Sequence, residues 1–271
     1  MTRQELFNEI CTKKSFLCTG IDPEIDKLPL HLPRTTDSIL EFNQEIIKYT
    51  QQYSVAYKLN TAFFEQYGKQ GWEVLEETRK VIPKRIFTIA DAKRGDIGNT
   101  SAMYAKAFFE TLNFDAITVS PYMGEDSLRP FLEFKNKWVI VLALTSNSGA
   151  KDFQYFANNG LRLFEKVLDT VSKWGNEDNL MFVTGATKTE EFEQIRKIVP
   201  ENFLLVPGIG AQGGSLSQVA QKGINQQLGL LVNSSRGIIY AGNEEDYAEK
   251  AERAAKFLQN QMEPWVDAVC D

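Results

Sequence analysis

An apolar run, Thr88-Ile89-Ala90, leads directly into Asp91-Ala92-Lys93-Arg94-Gly95-Asp96. If the run is a strand, residues i and i+2 share a side, so Asp91 and Lys93 project together from its end. Gly95 permits a turn and delivers Asp96 to the base of the next helix. Carboxylates on either side of a lysine hold it protonated and ready to deliver a proton. The same array could be a structural salt-bridge network, since such charges are costly to desolvate unless paired. Two further charges favour chemistry. Lys58 closes the apolar stretch Val55-Ala56-Tyr57, and Asp22 follows Thr19-Gly20-Ile21. Each sits at the C-terminal end of a strand candidate; a solvated surface charge poorly explains Lys58, and the two together with Asp91 and Lys93 make a continuous polar cluster.

A second constellation suits an anion. Val206-Pro207-Gly208-Ile209-Gly210-Ala211-Gln212-Gly213-Gly214 carries glycines that let backbone N–H groups approach a phosphate closely. Asn233-Ser234-Ser235-Arg236-Gly237 adds hydroxyls, an amide and a guanidinium. Thr145-Ser146-Asn147-Ser148 offers short hydrogen-bonding side chains for the edge of a heterocycle, or equally an ST-type turn.

The elements that must position these groups follow from hydrophobic patterning. Near-continuous apolar runs at 16–21, 54–59, 86–91, 116–120, 138–144, 181–185, 203–207 and 229–233 read as strands buried on both faces, hence parallel. Amphipathic helical segments alternate with them at 37–52, 72–81, 101–112, 161–174, 190–198 and 244–259, with polar cap candidates at Thr36 or Asp37, Asn99 or Thr100, and Thr187 or Thr189. Eight such strands predict a (β/α)8 TIM barrel, with residues 1–271 as a single domain; a doubly wound open sheet is the alternative. The long non-repetitive stretches 22–34, 146–160 and 208–215 all follow strand ends. Those loops build the active-site face of a barrel, and the loops after strands seven and eight commonly hold phosphate.

Composition removes other functions. Thirty Lys and Arg against 36 Asp and Glu give a net charge of −6, unsuited to gripping nucleic acid. The single histidine, His31, lies in a proline-containing loop and reads as a surface residue, which leaves no Ser-His-Asp triad or two-histidine zinc site. Three cysteines, Cys11, Cys18 and Cys270, form no CxxC pair, so a disulfide framework is not expected and a reducing compartment fits. Cys18 reads as barrel filling, and the Phe63-Phe64-Glu65-Gln66-Tyr67 aromatics as helix packing rather than base stacking. No apolar run approaches the roughly 20 residues of a membrane span, and no signal core opens the chain. The expectation is a cytoplasmic protein.

Asp91-x-Lys93-Arg94-x-Asp96-Ile97-x-x-Thr100 resembles the signature of the orotidine 5′-phosphate decarboxylase family. The likeness covers nearly the whole chain, taking in Thr19-Gly20-Ile21-Asp22-Pro23, Lys58-Leu59-Asn60, Ser120-Pro121-Tyr122-Met123-Gly124, Thr145-Ser146-Asn147, the glycine-rich loop and Asn233-Ser234-Ser235-Arg236. The extended loops resemble the family's longer bacterial branch. Where the compact branch has Gly-Arg, this chain has Ser235-Arg236, which leaves open which amides meet the phosphate. The resemblance implies a homodimer with shared active sites that makes UMP from orotidine 5′-monophosphate, with no metal or organic cofactor. It makes Lys93 the donor of a proton to the carbon that loses CO2 and sets Asp91 beside the scissile carboxylate. Lys58 holds the array. Asp96, part of the charged array, and Thr100 reach into the neighbouring subunit's site and contact the ribose, with Ile97 also binding substrate. It further implies Asp22 on ribose hydroxyls, Ser146 on the pyrimidine, and Gln212 with Arg236 on the phosphate, flanked by Gly213 and Ser235. Two other readings remain. Barrel relatives acting on keto-gulonate phosphates share Asp-x-Lys-x-x-Asp but resemble metal-dependent enzymes with an acid where Lys58 stands. A barrel that binds nucleotide without turning it over is the second.

Overall fold

The computed structural model describes residues 1–209 and 214–270. Eight parallel strands close into a barrel: β1 (Leu17–Ile21), β2 (Ser54–Asn60), β3 (Phe87–Arg94), β4 (Ala116–Val119), β5 (Trp138–Leu144), β6 (Leu180–Thr184), β7 (Phe203–Pro207) and β8 (Leu230–Ser234). Each pairs with its sequence neighbours, and β1 pairs with both β2 and β8, so the sheet has no edge and is not an open doubly wound one. The strands are mostly apolar because both their faces are covered, with the charged residues gathered toward their C-terminal ends; Val139, Ile140 and Val141 are fully buried. Each such side chain contributes about 1.5–3 kcal/mol relative to exposure.

Helices alternate with strands for the usual amphipathic reason. Helix Thr36–Thr50 buries Ile39, Phe42, Asn43, Ile46 and Ile47, a stripe at helical spacing. Its cap is Thr35, whose hydroxyl accepts from the Ser38 amide at 3.2 Å, rather than Thr36 or Asp37. The segment expected at 101–112 begins at Gly98 and finishes as a π-helical turn, Ala107–Thr111. The C-terminal helix runs Tyr247–Cys270, well past 259, burying alanines 248, 251 and 255 that let it lie close against the barrel. Helices Glu125–Leu132 and Leu216–Gly223 escape the sequence patterning, being only two turns long. Leu161 and Arg162 belong to a two-stranded ribbon with Ala157 and Asn158 rather than to a helix.

The barrel floor is packed shut. Trp138 meets Phe87 and Phe203 edge-on, with ring centroids 6.1 and 6.4 Å away, and donates its indole N–H to the Met1 carbonyl. Arg3 donates to the carbonyls of Glu177 and Glu201 beneath β6 and β7. Open volume is therefore left at the C-terminal ends of the strands. The cysteine expectation is overturned: Cys11 and Cys270 form a disulfide, their Cα atoms 5.8 Å apart across a sequence separation of 259. The first and last helices lie side by side there, Lys14 pairing with Glu263 at 3.2 Å and Asp267 at 3.0 Å. No local spacing could reveal a pair that only the closed ring of helices brings together. Cys18 does fill the barrel, and burial pushes its thiol up to about 12. His31 is exposed.

Candidate active site

A cleft of about 450 Å³ opens at the C-terminal ends of the strands, within the size range of small-molecule sites. Lys58 enters it from β2 and Asp91 from β3. Lys58 pairs in register with Ile89, two residues before Asp91, so the two side chains are diagonal neighbours on one face. Lys58 Nζ lies 2.8 Å from Asp91 Oδ2 and 3.6 Å from Asp22 Oδ1, and Lys93 Nζ lies 2.6 Å from Asp91 Oδ1. The charges form a chain, Asp22–Lys58–Asp91–Lys93. Side-chain exposure is 6% for Lys58 and 10% for Asp91 but 49% for Lys93, so only the last ammonium is offered to a ligand.

Burial alone would lower the Lys58 ammonium's pKa, but Asp22 and Asp91 outweigh it and hold that pKa above the ordinary value. Burial likewise works against the Asp91 carboxylate, yet Lys58 and Lys93 hold it well below the usual carboxylate range. The pair is charged at neutral pH.

Lys93 does not reach this place by simple strand alternation. Between Ala90, opposite Ile117, and Arg94, opposite Val119, the register shifts: three β3 residues face Thr118 alone. Within this bulge Lys93 adopts a left-handed backbone, φ 48°, which costs a non-glycine residue roughly 1–2 kcal/mol. The bulge re-aims the side chain. Arg94, next in the chain, turns away to pair with Glu65 over the Tyr104 and Phe108 rings.

Of the expected binding residues, Asp22, Ser146, Ser235 and Arg236 line the same cleft. Two glycines make this possible. A Cβ at Gly185 would stand 2.7 Å from the Ser146 backbone, and one at Gly20 would stand 1.8 Å from the Ser235 hydroxyl. Asn233 donates to that hydroxyl at 3.2 Å. Gln212 and Gly213 lie outside the described residues. Asp96, Ile97 and Thr100 are not brought to this chain's array. Asp96 accepts from the Ile97 amide at 2.7 Å, and Ile97 is 60% exposed. Sequence reasoning missed Phe63, set aside as packing, which lines the cleft while Phe64 is the buried partner. It also missed Thr118 and the apolar wall of Leu142, Val183 and Leu205. These interior residues carry no sequence signal distinct from barrel filling.

Barrel and site together define a class: a (β/α)8 barrel with a cleft of lysines and carboxylates at the C-terminal ends of its strands. A model of the orotidine 5′-phosphate decarboxylase / HUMPS family matches residues 15–251, and the chain belongs to this family. It is 59% identical over 271 residues to an orotidine 5′-phosphate decarboxylase of Flavobacterium johnsoniae, covering 99% of each chain. To that of Bacteroides fragilis it is 55% identical over 273 residues, covering 99% of this chain and 100% of the relative. Among solved structures, the OMP decarboxylase of Leishmania donovani superposes with a TM-score of 0.87 at 36% identity, covering 98% of this chain and 100% of that one.

Proposed function

We propose that this chain decarboxylates orotidine 5′-monophosphate to UMP, the last step of de novo pyrimidine synthesis. The observation that carries the reading is the Asp22–Lys58–Asp91–Lys93 chain, in which Lys93 is the more exposed of the two lysines. Breaking the bond to the carboxylate carbon releases CO2 and leaves its electron pair on the ring carbon. A cation fixed beside that carbon lowers the barrier, and Lys93 then passes its proton to the same carbon. Asp91 fixes the position of Lys93 and stands where the substrate carboxylate enters; Lys58 keeps Asp91 charged.

The remaining residues take the parts that family membership suggests. Ser146 meets the pyrimidine edge. Asp22, which lines the cleft, takes ribose hydroxyls. Arg236 and Ser235, with Gln212 and Gly213, take the phosphate. Binding energy at that remote end closes the site around the reacting carbon.

The active unit in this reading is a homodimer, with Asp96, Ile97 and Thr100 entering the neighbouring copy's cleft. Exposed apolar side chains, Ile97, Met103, Tyr122 and Met123, surround that segment and suit a face covered by a second copy. The reading takes the chain as one domain, needing neither metal nor organic cofactor and residing in the cytoplasm. There the Cys11–Cys270 bridge would meet reducing conditions. No described helix is long and apolar enough to cross a membrane.

The test is the absorbance loss on adding orotidine 5′-monophosphate to purified protein. Turnover unaffected by EDTA is expected. Loss of turnover in EDTA would point to metal-dependent chemistry, and UMP binding without turnover to a non-catalytic barrel.

A further inference from the structure

Thr118 is the lone β4 residue facing the bulged Asp91-Ala92-Lys93 segment, and its hydroxyl is fully engaged there. The Lys93 amide donates to Thr118 Oγ1 at 3.0 Å, and that hydroxyl donates to Asp91 Oδ1 at 3.0 Å. The same carboxylate oxygen accepts from Lys93 Nζ at 2.6 Å. Lys93 is thus held at both ends by one closed circuit: amide, hydroxyl, carboxylate, ammonium. A hydroxyl has one proton, and an ionised carboxylate only accepts, so the direction of every bond in the circuit is set. The residue is 1% exposed, in a strand otherwise made of Ala116, Ile117 and Val119. A bulge leaves amides without ladder partners, and the Lys93 amide is satisfied by this hydroxyl.

We propose that Thr118 is a positioning residue for the decarboxylation, locking the left-handed turn at Lys93 and the Asp91 carboxylate into one rigid unit. The inference rests on the function proposed above. It differs from a packing role because the methyl group could fill space without the hydroxyl, whereas the circuit needs the oxygen. Without it, the Lys93 backbone loses the bond that offsets its strained conformation, and Asp91 gains freedom to rotate. The function proposed above gives nucleotide binding to Asp22, Ser146, Ser235 and Arg236, so the defect is expected on the chemical step.

The test compares Thr118→Val, which keeps the β-branched shape, with Thr118→Ser, which keeps the hydroxyl. Thr118→Val is expected to lower kcat by roughly 10–100-fold, the scale of one lost hydrogen bond to a charged group. KM and UMP affinity should stay within about threefold, since a residue that only fixes the reacting groups leaves ground-state binding to others and lowers kcat and kcat/KM together. Thr118→Ser should recover most of the lost kcat. An unchanged kcat in Thr118→Val, or a Ser variant no better than the Val variant, overturns the proposal. So does a parallel fall in UMP affinity. If Thr118→Val fails to fold, amide hydrogen exchange of the unmodified protein decides: slow exchange at Lys93 supports the circuit, and exchange as fast as in exposed loops overturns it. Failure of the functional reading shows separately, as absent turnover in the unmodified chain.

Discussion

At the scale of single residues, the site is a problem in placing charge where water is scarce. Lys58 and Asp91 are nearly enclosed, and each is tolerable only because the other is there. The chain Asp22–Lys58–Asp91–Lys93 alternates in sign, so removing an internal member leaves like charges facing each other. Lys58→Met is expected to destabilise the fold by about 3–5 kcal/mol at neutral pH, the usual cost of truncating one partner of a buried pair. The pH dependence has a definite sign. Asp91's pKa is depressed on folding, so its contribution is present above its unfolded value, about 4, and is lost as pH falls through the folded value. That of Lys58 is raised, so its contribution is full below about 10 and is lost as pH rises through the folded value. The stability gap between unmodified protein and Lys58→Met should therefore be flat from about pH 5 to 9 and shrink below about pH 4. Urea unfolding at neutral and acid pH measures it; a gap that widens in acid would contradict this assignment of charges.

At the scale of elements, the departures from regular patterning are where the site is made. Strand alternation predicts Asp91 and Lys93 on one side, and they do meet. They meet through a bulge in β3, however, with Lys93 in a backbone conformation that alternation does not contain. Nothing in Asp91-Ala92-Lys93 announces a bulge, because its cause is the register imposed by β4. The terminal helices show the same dependence on context. Their disulfide closes nearly the whole chain into a loop, and a disulfide typically stabilises by about 2–4 kcal/mol. Reduction is expected to lower Tm by roughly 5–10 °C, and Cys270→Ser should show the lowered Tm with no further response to reductant. Equal sensitivity of both proteins to dithiothreitol in calorimetry would mean that the bridge contributes nothing.

At the scale of the whole molecule, the barrel separates stability from chemistry. Trp138, Phe87, Phe203 and Arg3 close the N-terminal end, and the charged chain occupies the C-terminal end. One chain does not gather every residue expected in the site. Asp96, Ile97 and Thr100 do not line its cleft, and Ile97 is 60% exposed; the proposed reading assigns them to a second copy's cleft. Mixing two inactive proteins tests that division. In the proposed reading Lys93→Ala would lack the proton donor and Asp96→Ala the carboxylate given to the other subunit, so each alone should lose turnover. Heterodimers formed from them contain one cleft with both groups intact. Recovery of up to about a quarter of native activity is expected, from random pairing of subunits with one good site per mixed dimer. No recovery after demonstrated subunit exchange would place Asp96 in its own chain's service.

What the sequence by itself determined is what local physics controls. Apolar runs covered on both faces point to parallel pairing, and eight of them favour a barrel over the open sheet that the β1–β8 pairing then excludes. Charges at the ends of such runs, Asp22, Lys58 and Asp91, must share the barrel's open end, since every strand points the same way. Tertiary structure alone decided what depends on partners distant in sequence. It set the left-handed turn at Lys93 through the register with β4, the engagement of Thr118, the place of Phe63 on the cleft wall, and the union of Cys11 with Cys270. Each is a pairing between elements, and a pairing acquires its geometry only when the ring of strands and helices has closed.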